Sequence, residues 1–349
     1  MKKFIKWVAI IVAGLVLCAA GAYTYFDDAA SKRLAQTWPE VKGKDLVVPM
    51  PLTPAEVASV RTALIAKGVN HGGQPLAVTV GEDGSKKIAD PLAGADLQAI
   101  ALKRAIERGK YLATIRLGCS DCHGDNFAGK LIADAQPVMT FRAPNVTLGG
   151  LTKKYTPSDW DRIIRHGIKP DNTNAIMPAI DYMALSDAEV SDVIAYVTSL
   201  PAVDRVEPDT TFGPIGRVLL GTGKMPIAAE QIDHTASKPK TAPVAAVNAT
   251  YGKHIAQTCV GCHRAEMNGG PIAAGDPKWP DASNLTKAGP LKGWNEADFI
   301  KTMKTGTRPD GTTLNPVAMP WPVLGKMTDQ DLRALWAYLT TLQPVATGT

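Results

Sequence analysis

The sequence predicts an all-α fold: two tandem copies of one compact helical domain, joined by a Pro/Ala-rich linker and preceded by an N-terminal transmembrane helix. Three observations predict it. The chain repeats itself: "APNVT" (143–147) returns as "ASNLT" (282–286), and "DWDRIIRHGIKPD" (159–171) as "DFIKTMKTGTRPD" (298–310), both at an offset of 139 residues. "LSDAEVSDVIAYVTSLP" (185–201) returns as "MTDQDLRALWAYLTTLQP" (327–344), now at 142. Constant order and nearly constant spacing mean one structural unit used twice. Within each copy, apolar residues recur at helical spacing. Near the start, 20 uncharged residues from Trp7 to Phe26 are enough to span a bilayer.

Residues 1–26 are the anchor. Lys2, Lys3 and Lys6 precede the apolar run and Asp27 and Asp28 follow it. The lysines hold the start on the cytoplasmic side, and Trp7 and Tyr23–Phe26 suit the two interfaces. A cleaved signal peptide is the competing reading, since Ala20-Gly21-Ala22 matches an A-x-A site. The apolar character continues past that site to spanning length, which favours the anchor. Either way the rest of the chain is exported, and the expected place is the bacterial inner membrane, single-pass, with the domains in the periplasm. Cys18 follows Leu17 rather than a small residue, so it reads as a small hydrophobe and not a lipidation site.

Residues 27–94 form an extension with one helix, Pro54–Lys67, and a polar hairpin around "VTVGEDGSKK". The first copy covers 95–203. "DLQAIALKRAIERGKYLATIRLG" (96–118) has helical spacing at Leu97, Ile100, Ala101, Ala105, Leu112 and Ile115. "TPSDWDRIIRHG" opens with helix-start signals and stops at Gly167. Ser186 with Glu189 three residues later is a capping box, the helix face is Val190, Val193, Ile194 and Val197, and Pro201 lies past the end. Thr328 and Asp331 repeat the box in the second copy, 249–349. The linker, 204–248, has an apolar part (212–234) expected to pack across both copies and a flexible part (235–250).

Composition narrows the function. The 349 residues are 45% apolar and 20% charged, with a net charge of +5 and no clustered Lys/Arg stripe, so no nucleic-acid partner is expected. Of five cysteines, four lie in "CSDCH" (119–123) and "CVGCH" (259–263). A structural zinc site needs four protein ligands, and no second Cys/His pair follows either motif. A redox dithiol leaves the histidine unexplained. Covalent haem c accounts for every residue. Cys119 and Cys122, and Cys259 and Cys262, add their thiols to the two vinyl groups. His123 and His263 then lie under the iron.

The iron takes a sixth ligand. Met177 and Met319 occupy matching places, each followed by proline, 54 and 56 residues after their histidines. A thioether is soft and favours Fe(II). Met139, Met183, Met225, Met267, Met303 and Met327 read as core filler. His166 is the rival distal ligand in the first copy, but Thr305 stands at its counterpart, so it reads as a loop or surface histidine. His71, His234 and His254 read as solvated or locally bonded.

These residues carry a resemblance. "RGKYLATIRLGCSDCHG", "APNVT", "DWDRIIRHGIKPD", "MP" and the 185–201 helix, with the weaker second set, make the chain similar to bacterial class I c-type cytochromes in a double-domain, dihaem form. It especially resembles the cytochrome subunits of membrane-bound periplasmic dehydrogenases, over 95–203 and 249–349, although those subunits in triple-haem form carry one more motif. The resemblance implies a compact helical fold around each haem, with Asn145 and Asn284 near the haem edge and its propionates.

The expected function is single-electron transfer by a membrane-tethered carrier. Its redox partners would be a dehydrogenase or quinol-oxidising complex on one side and an oxidase, small soluble cytochrome or other terminal acceptor on the other. The alternative is a dihaem enzyme, such as a peroxidase-like protein with one open iron. Matching methionines on both copies oppose it. A thiosulfate-oxidising enzyme with a cysteine ligand is opposed by the absence of an exported cysteine outside the motifs, and a haem-based sensor by the short cytoplasmic side.

Overall fold

The computed structural model describes residues 2–348 except 273, 274 and 277. Met1 and Thr349, the ends of the expected anchor and second copy, lie outside the described residues, as do the side chains of Lys2 and Lys3.

Helix α1 (Lys2–Leu34) is one continuous helix whose apolar stretch is fully exposed on the protein. It runs past the expected boundary at Phe26. Its last turns dock on the linker: Asp27 pairs with Arg217, Arg33 with Glu230, and Ala30 is buried. Helix α2 (Pro54–Lys67) stands where the sequence places it, with Thr53 and Glu56 closing a capping box, and buries no residue. Strands β1 (Val78–Val80) and β2 (Lys86–Ile88) form the expected hairpin.

In the first copy, α3 (Leu97–Tyr111) passes through a π-helical turn (Leu112–Arg116) before α4 (Cys119–His123). The helix therefore does not run straight into the motif; a π-turn inserts an extra residue and re-aims the chain. Strands β3 (Lys130–Ala135) and β4 (Met139–Ala143) follow, then α5 (Pro157–His166) and α6 (Asp187–Ser199). Linker strand β5 (Thr211–Phe212) adds to β4, completing a three-stranded sheet. The expectation of an all-α fold is corrected here. The strands are short and β3 is mostly exposed, so they lack the alternation that announces a half-buried strand.

Linker helices α7 (Pro214–Gly221) and α8 (Ala228–Gln231) pack on the first copy and the end of α1, not across both copies. Leu220, Ile227 and Ala229 join Ala30, Val41 and Ile168 in one small core. The bridging stretch is the one read as flexible. The N–H groups of Asp187 and Ala188 donate to Pro239 and Lys240 carbonyls, and Gln330 donates to the Ala245 carbonyl at 2.8 Å. The linker thus runs past the N-termini of α6 and of its counterpart in the second copy.

The second copy has α9 (Ala249–Ala256), α10 (Val260–His263), α11 (Glu296–Thr305), α12 (Trp321–Leu324) and α13 (Asp329–Leu339). Each copy has its own core, one around Phe127, Trp160, Val190 and Ile194, the other around Ile255, Phe299, Leu332 and Leu335. The same helix crossing builds both. A Cβ on Gly109 of α3 would fall 1.9 Å from the Asp192 carbonyl oxygen of α6. A Cβ on Gly252 of α9 would fall 1.8 Å from that of Ala334 in α13. Only glycine lets the backbones approach so closely.

The copies dock reciprocally. Tyr111, at the end of α3, donates its hydroxyl to Asp331 on α13, and Tyr251 donates to the same carboxylate at 2.9 Å. His254, Tyr111's counterpart on α9, meets both carboxylate oxygens of Glu189 on α6 at 2.9 Å. Arg116 adds a buried ion pair to Glu189 at 2.6 Å. The same positions thus serve both sides, as in an isologous dimer. Glu189 still closes the α6 capping box with Ser186. Asp331 does not close the one expected with Thr328, because its carboxylate goes to the two tyrosines. His254 is correspondingly not the solvated or locally bonded residue its sequence surroundings suggest.

Candidate haem-attachment sites

Helices α3 and α9 deliver the two Cys-x-x-Cys-His segments to the edges of the two cores. Gly118, left-handed at φ 62°, turns the chain into α4. All four motif cysteines are half-buried. Burial pushes the Cys119 and Cys259 thiols up to about 12 and raises Cys122 and Cys262 as well. A redox dithiol needs a thiolate favoured by its surroundings; neither motif offers one.

Each histidine is oriented by its backbone. His123 Nδ1 lies 2.9 Å from the Pro144 carbonyl oxygen, and His263 Nδ1 lies 2.8 Å from that of Ser283. A carbonyl only accepts, so Nδ1 carries the proton and Nε2 keeps its lone pair. Burial lowers both pKa values and keeps the rings neutral. This is how a metal-binding histidine is presented. Among the described residues no group of three or more His, Cys, Asp or Glu is placed to hold a bare metal ion.

In the second copy a cavity of about 290 Å³ opens beside the motif. Cys259, Cys262 and His263 line one side, Met319 lines it too, and Leu285, Phe299 and Leu335 contribute apolar wall. The residues fit a covalently held haem: two thiols, a ligand-ready imidazole and a thioether share one apolar cavity. Met267, Met303 and Met327 also line it but are buried core filler, as their sequence positions suggest.

Met177 has Met319's backbone setting. The N–H of Ala179 donates to the Met177 carbonyl and that of Trp321 to the Met319 carbonyl. Pro178 (φ −76°, ψ 56°) and Pro320 (φ −75°, ψ 53°) are nearly superposable. Each proline starts a short turn, Ala179–Asp181 in the first copy and α12 in the second.

The side-chain amides of Asn145 and Asn284 hold their loops in place. Asn145 Nδ2 donates to the Val203 and Arg205 carbonyls at 2.7 and 2.9 Å, and Oδ1 accepts from the Thr147 backbone and hydroxyl. Asn284 does the same with Val345, Thr347 and Thr286. Both amides tie their loop to the chain leaving the last helix of each copy. Arg308, which no sequence motif marks, also lines the cavity. Its counterpart Lys169 makes an equivalent turn: each donates its backbone N–H to the carbonyl four residues on, at 2.8 Å. A basic residue in the repeated "KPD/RPD" segment was the available signal.

His166 is not a surface histidine. It is buried, and its Nδ1 lies 3.0 Å from His234 Nδ1. His234 Nε2 meets the Ala229 carbonyl at 2.9 Å, so Nε2 carries that ring's proton and His166 donates to the free His234 Nδ1. Burial, with Lys238, His234, Arg165 and Arg162 close by, lowers His166 to about 4. The unfolded chain therefore takes up a proton that the folded chain refuses, and stability falls as pH drops from 6.5 towards 4. One proton carries at most about 1.4 kcal/mol per pH unit. Asp181 and Asp192, raised to about 6 by burial, act in the opposite direction over part of this window. The expected result is thus a difference: thermal melts of His166→Gln lose less between pH 6.5 and 4 than wild type. Equal losses would show that the buried pair does not titrate on unfolding.

The cytochrome c family matches residues 106–201 and 249–343, one match on each copy. The chain is 37% identical over 271 residues to the cytochrome c subunit of alcohol dehydrogenase (quinone) from Gluconacetobacter polyoxogenes, covering 69% of this chain and 56% of that subunit. The cytochrome c subunit of gluconate 2-dehydrogenase from Pantoea cypripedii is 33% identical over 105 residues, 27% of this chain and 23% of that one. The fructose dehydrogenase cytochrome subunit of Gluconobacter japonicus is 30% identical over 99 residues, 26% of this chain and 20% of its own. The chain spans about half the length of the alcohol dehydrogenase subunits it matches. Two cytochrome c domains imply two covalently bound haem c groups. The chain therefore belongs to the cytochrome c family, in a two-domain, dihaem form.

Proposed function

We propose that this chain is a membrane-anchored periplasmic electron carrier that passes single electrons from a membrane-bound dehydrogenase to a terminal acceptor. The observation that carries the reading is the placing of Met319 in one apolar cavity with Cys259, Cys262 and His263. Cys119 and Cys122 hold the first haem, and Cys259 and Cys262 the second. His123 and His263 are the proximal ligands, Met177 and Met319 the distal ones. Each haem supplies one reversible Fe(III)/Fe(II) couple. The chain's own groups set its terms. The Pro144 and Ser283 carbonyls hold the imidazoles in the ligating tautomer. The apolar wall keeps water from the second site, and Arg308 offers a cation to haem carboxylates. A histidine and a methionine holding each haem would leave no open position for a substrate, so the protein carries electrons and does not catalyse bond chemistry.

The relatives' names support a dehydrogenase as donor, oxidising an alcohol, a sugar acid or a sugar. The exposed apolar length of α1 supports tethering in the bilayer. Native membranes holding the protein test this. Adding ethanol, gluconate or fructose should reduce its haems, and the responding dehydrogenase should copurify after detergent extraction. Haems that stay oxidised with every donor, or that bind carbon monoxide in the unmutated ferrous protein, would sink the reading.

A further inference from the structure

The two copies also touch between their candidate haem regions, where Asp181 makes a hydrogen bond across. Asp181 lies four residues after Met177, at the end of the turn that Pro178 opens. Its carboxylate accepts the backbone N–H of Gly261 at 2.8 Å. Gly261 lies inside the second motif, between Cys259 and Cys262. The approach admits nothing larger: a Cβ on Gly261 would fall 2.5 Å from the Asp181 carboxylate.

Among the described residues no side-chain hydrogen bond to the first motif mirrors this one. Where the second motif has Gly261, the first has Asp121; where the first turn has Asp181, the second has Val323. Docking is held elsewhere, by Tyr111 on Asp331 and by His254 and Arg116 on Glu189. Asp181 is therefore not needed to keep the copies together. Its carboxylate also lies where charge matters, against the helix that carries the second pair of cysteines.

Resting on the site assignment above, we propose that Asp181 is a positioning residue that couples the two haem sites. It joins the chain leaving the first distal ligand to the helix carrying the second pair of thioethers. From Met177 the path runs along the backbone to Asp181, crosses one hydrogen bond to Gly261, and reaches Cys262 one residue on. The bond ties the turn that follows Met177 to the second motif and would offer a bonded route from one site to the other. The negative carboxylate makes an added electron less favourable at the second site than at the first.

The test uses the full chain as wild type, Asp181→Ala, Asp181→Asn, Gly261→Ala and the Asp181→Ala/Gly261→Ala double variant. Haem content is read first. Inter-haem electron exchange is then followed after rapid photochemical reduction, and both midpoint potentials are titrated. Asp181→Ala should slow exchange severalfold. Asp181→Asn keeps an acceptor for the Gly261 N–H, so it should retain the rate while raising the second potential relative to the first. Gly261→Ala should slow exchange like Asp181→Ala, and the double variant should add little, since both break one contact. Wild-type rates and potentials in Asp181→Ala and Gly261→Ala, with both haems present, would overturn the proposal. A purely structural role would lower the melting temperature and leave both potentials unmoved, which also overturns it. A wild-type chain with fewer than two haems would instead overturn the site assignment, before any rate is measured.

Discussion

Replacing Cys259 and Cys262 together by alanine should halve the covalently bound haem. Wild type should keep its colour on the protein through acid–acetone extraction, and the variant should keep half as much per chain. The effect should reach beyond colour. The second core is built around the cavity of about 290 Å³ that the motif lines. Leaving a cavity costs about 24 cal/mol per Å³, so an unfilled one of this size costs on the order of 7 kcal/mol. That rivals the whole stability of a typical domain, about 5–15 kcal/mol. The second copy should therefore lose its native packing, while the first keeps its own core and its haem. Calorimetry should show one cooperative transition surviving, and the corresponding Cys119/Cys122 variant should reverse the pattern. Unchanged haem content, or a zinc ion bound in its place, would refute covalent attachment.

The second large effect concerns the distal ligands. Met319→Ala should open the second iron, so that the ferrous variant binds carbon monoxide where wild type does not. The weak near-infrared band of ferric Met–haem ligation should fall by half, and vanish in the Met177→Ala/Met319→Ala double variant. Met319→His should stay closed to carbon monoxide but lower that haem's potential, since nitrogen lacks the thioether's preference for Fe(II). The drop should be a sizeable part of the roughly 0.8 V range that axial ligands command. Met319 lines the cavity itself, whereas Met177 rests on its matching backbone setting, so Met177→Ala is the more searching of the two. His166, the rival in the first copy, has its Nδ1 engaged with His234. A wild type without the band, or variants that both retain it, would move the ligands elsewhere.

Much of the site was legible because its chemistry is local. A Cys-x-x-Cys-His segment brings both thiols and the imidazole within five consecutive residues, and no tertiary contact is needed to recognise it. The capping box at Ser186 is a four-residue pattern and stands as read, and the structure adds boxes at Thr53 and Thr156. The repeat located the two methionines by equivalence. Asp331 shows the limit. Its spacing from Thr328 reads as a second box, but Tyr111, 220 residues away in sequence, takes the carboxylate. The same limit hid the His166–His234 pair, the seat of His254 on Glu189, and the commitments of Asn145 and Asn284.

By itself the sequence determined the duplication, the two attachment motifs, the paired methionines, the apolar N-terminal helix and the helical frame of each copy. All of these are written in adjacent residues, short periodicities or direct repetition. Only the tertiary structure decided that the copies face each other through equivalent positions, that the flexible linker spans their helix starts, that β3, β4 and β5 form a sheet, and that Asp181 reaches the second motif. These depend on which surfaces meet after folding. Burial and hydrogen bonding between residues far apart in the chain select such contacts, and they leave no periodic trace along it.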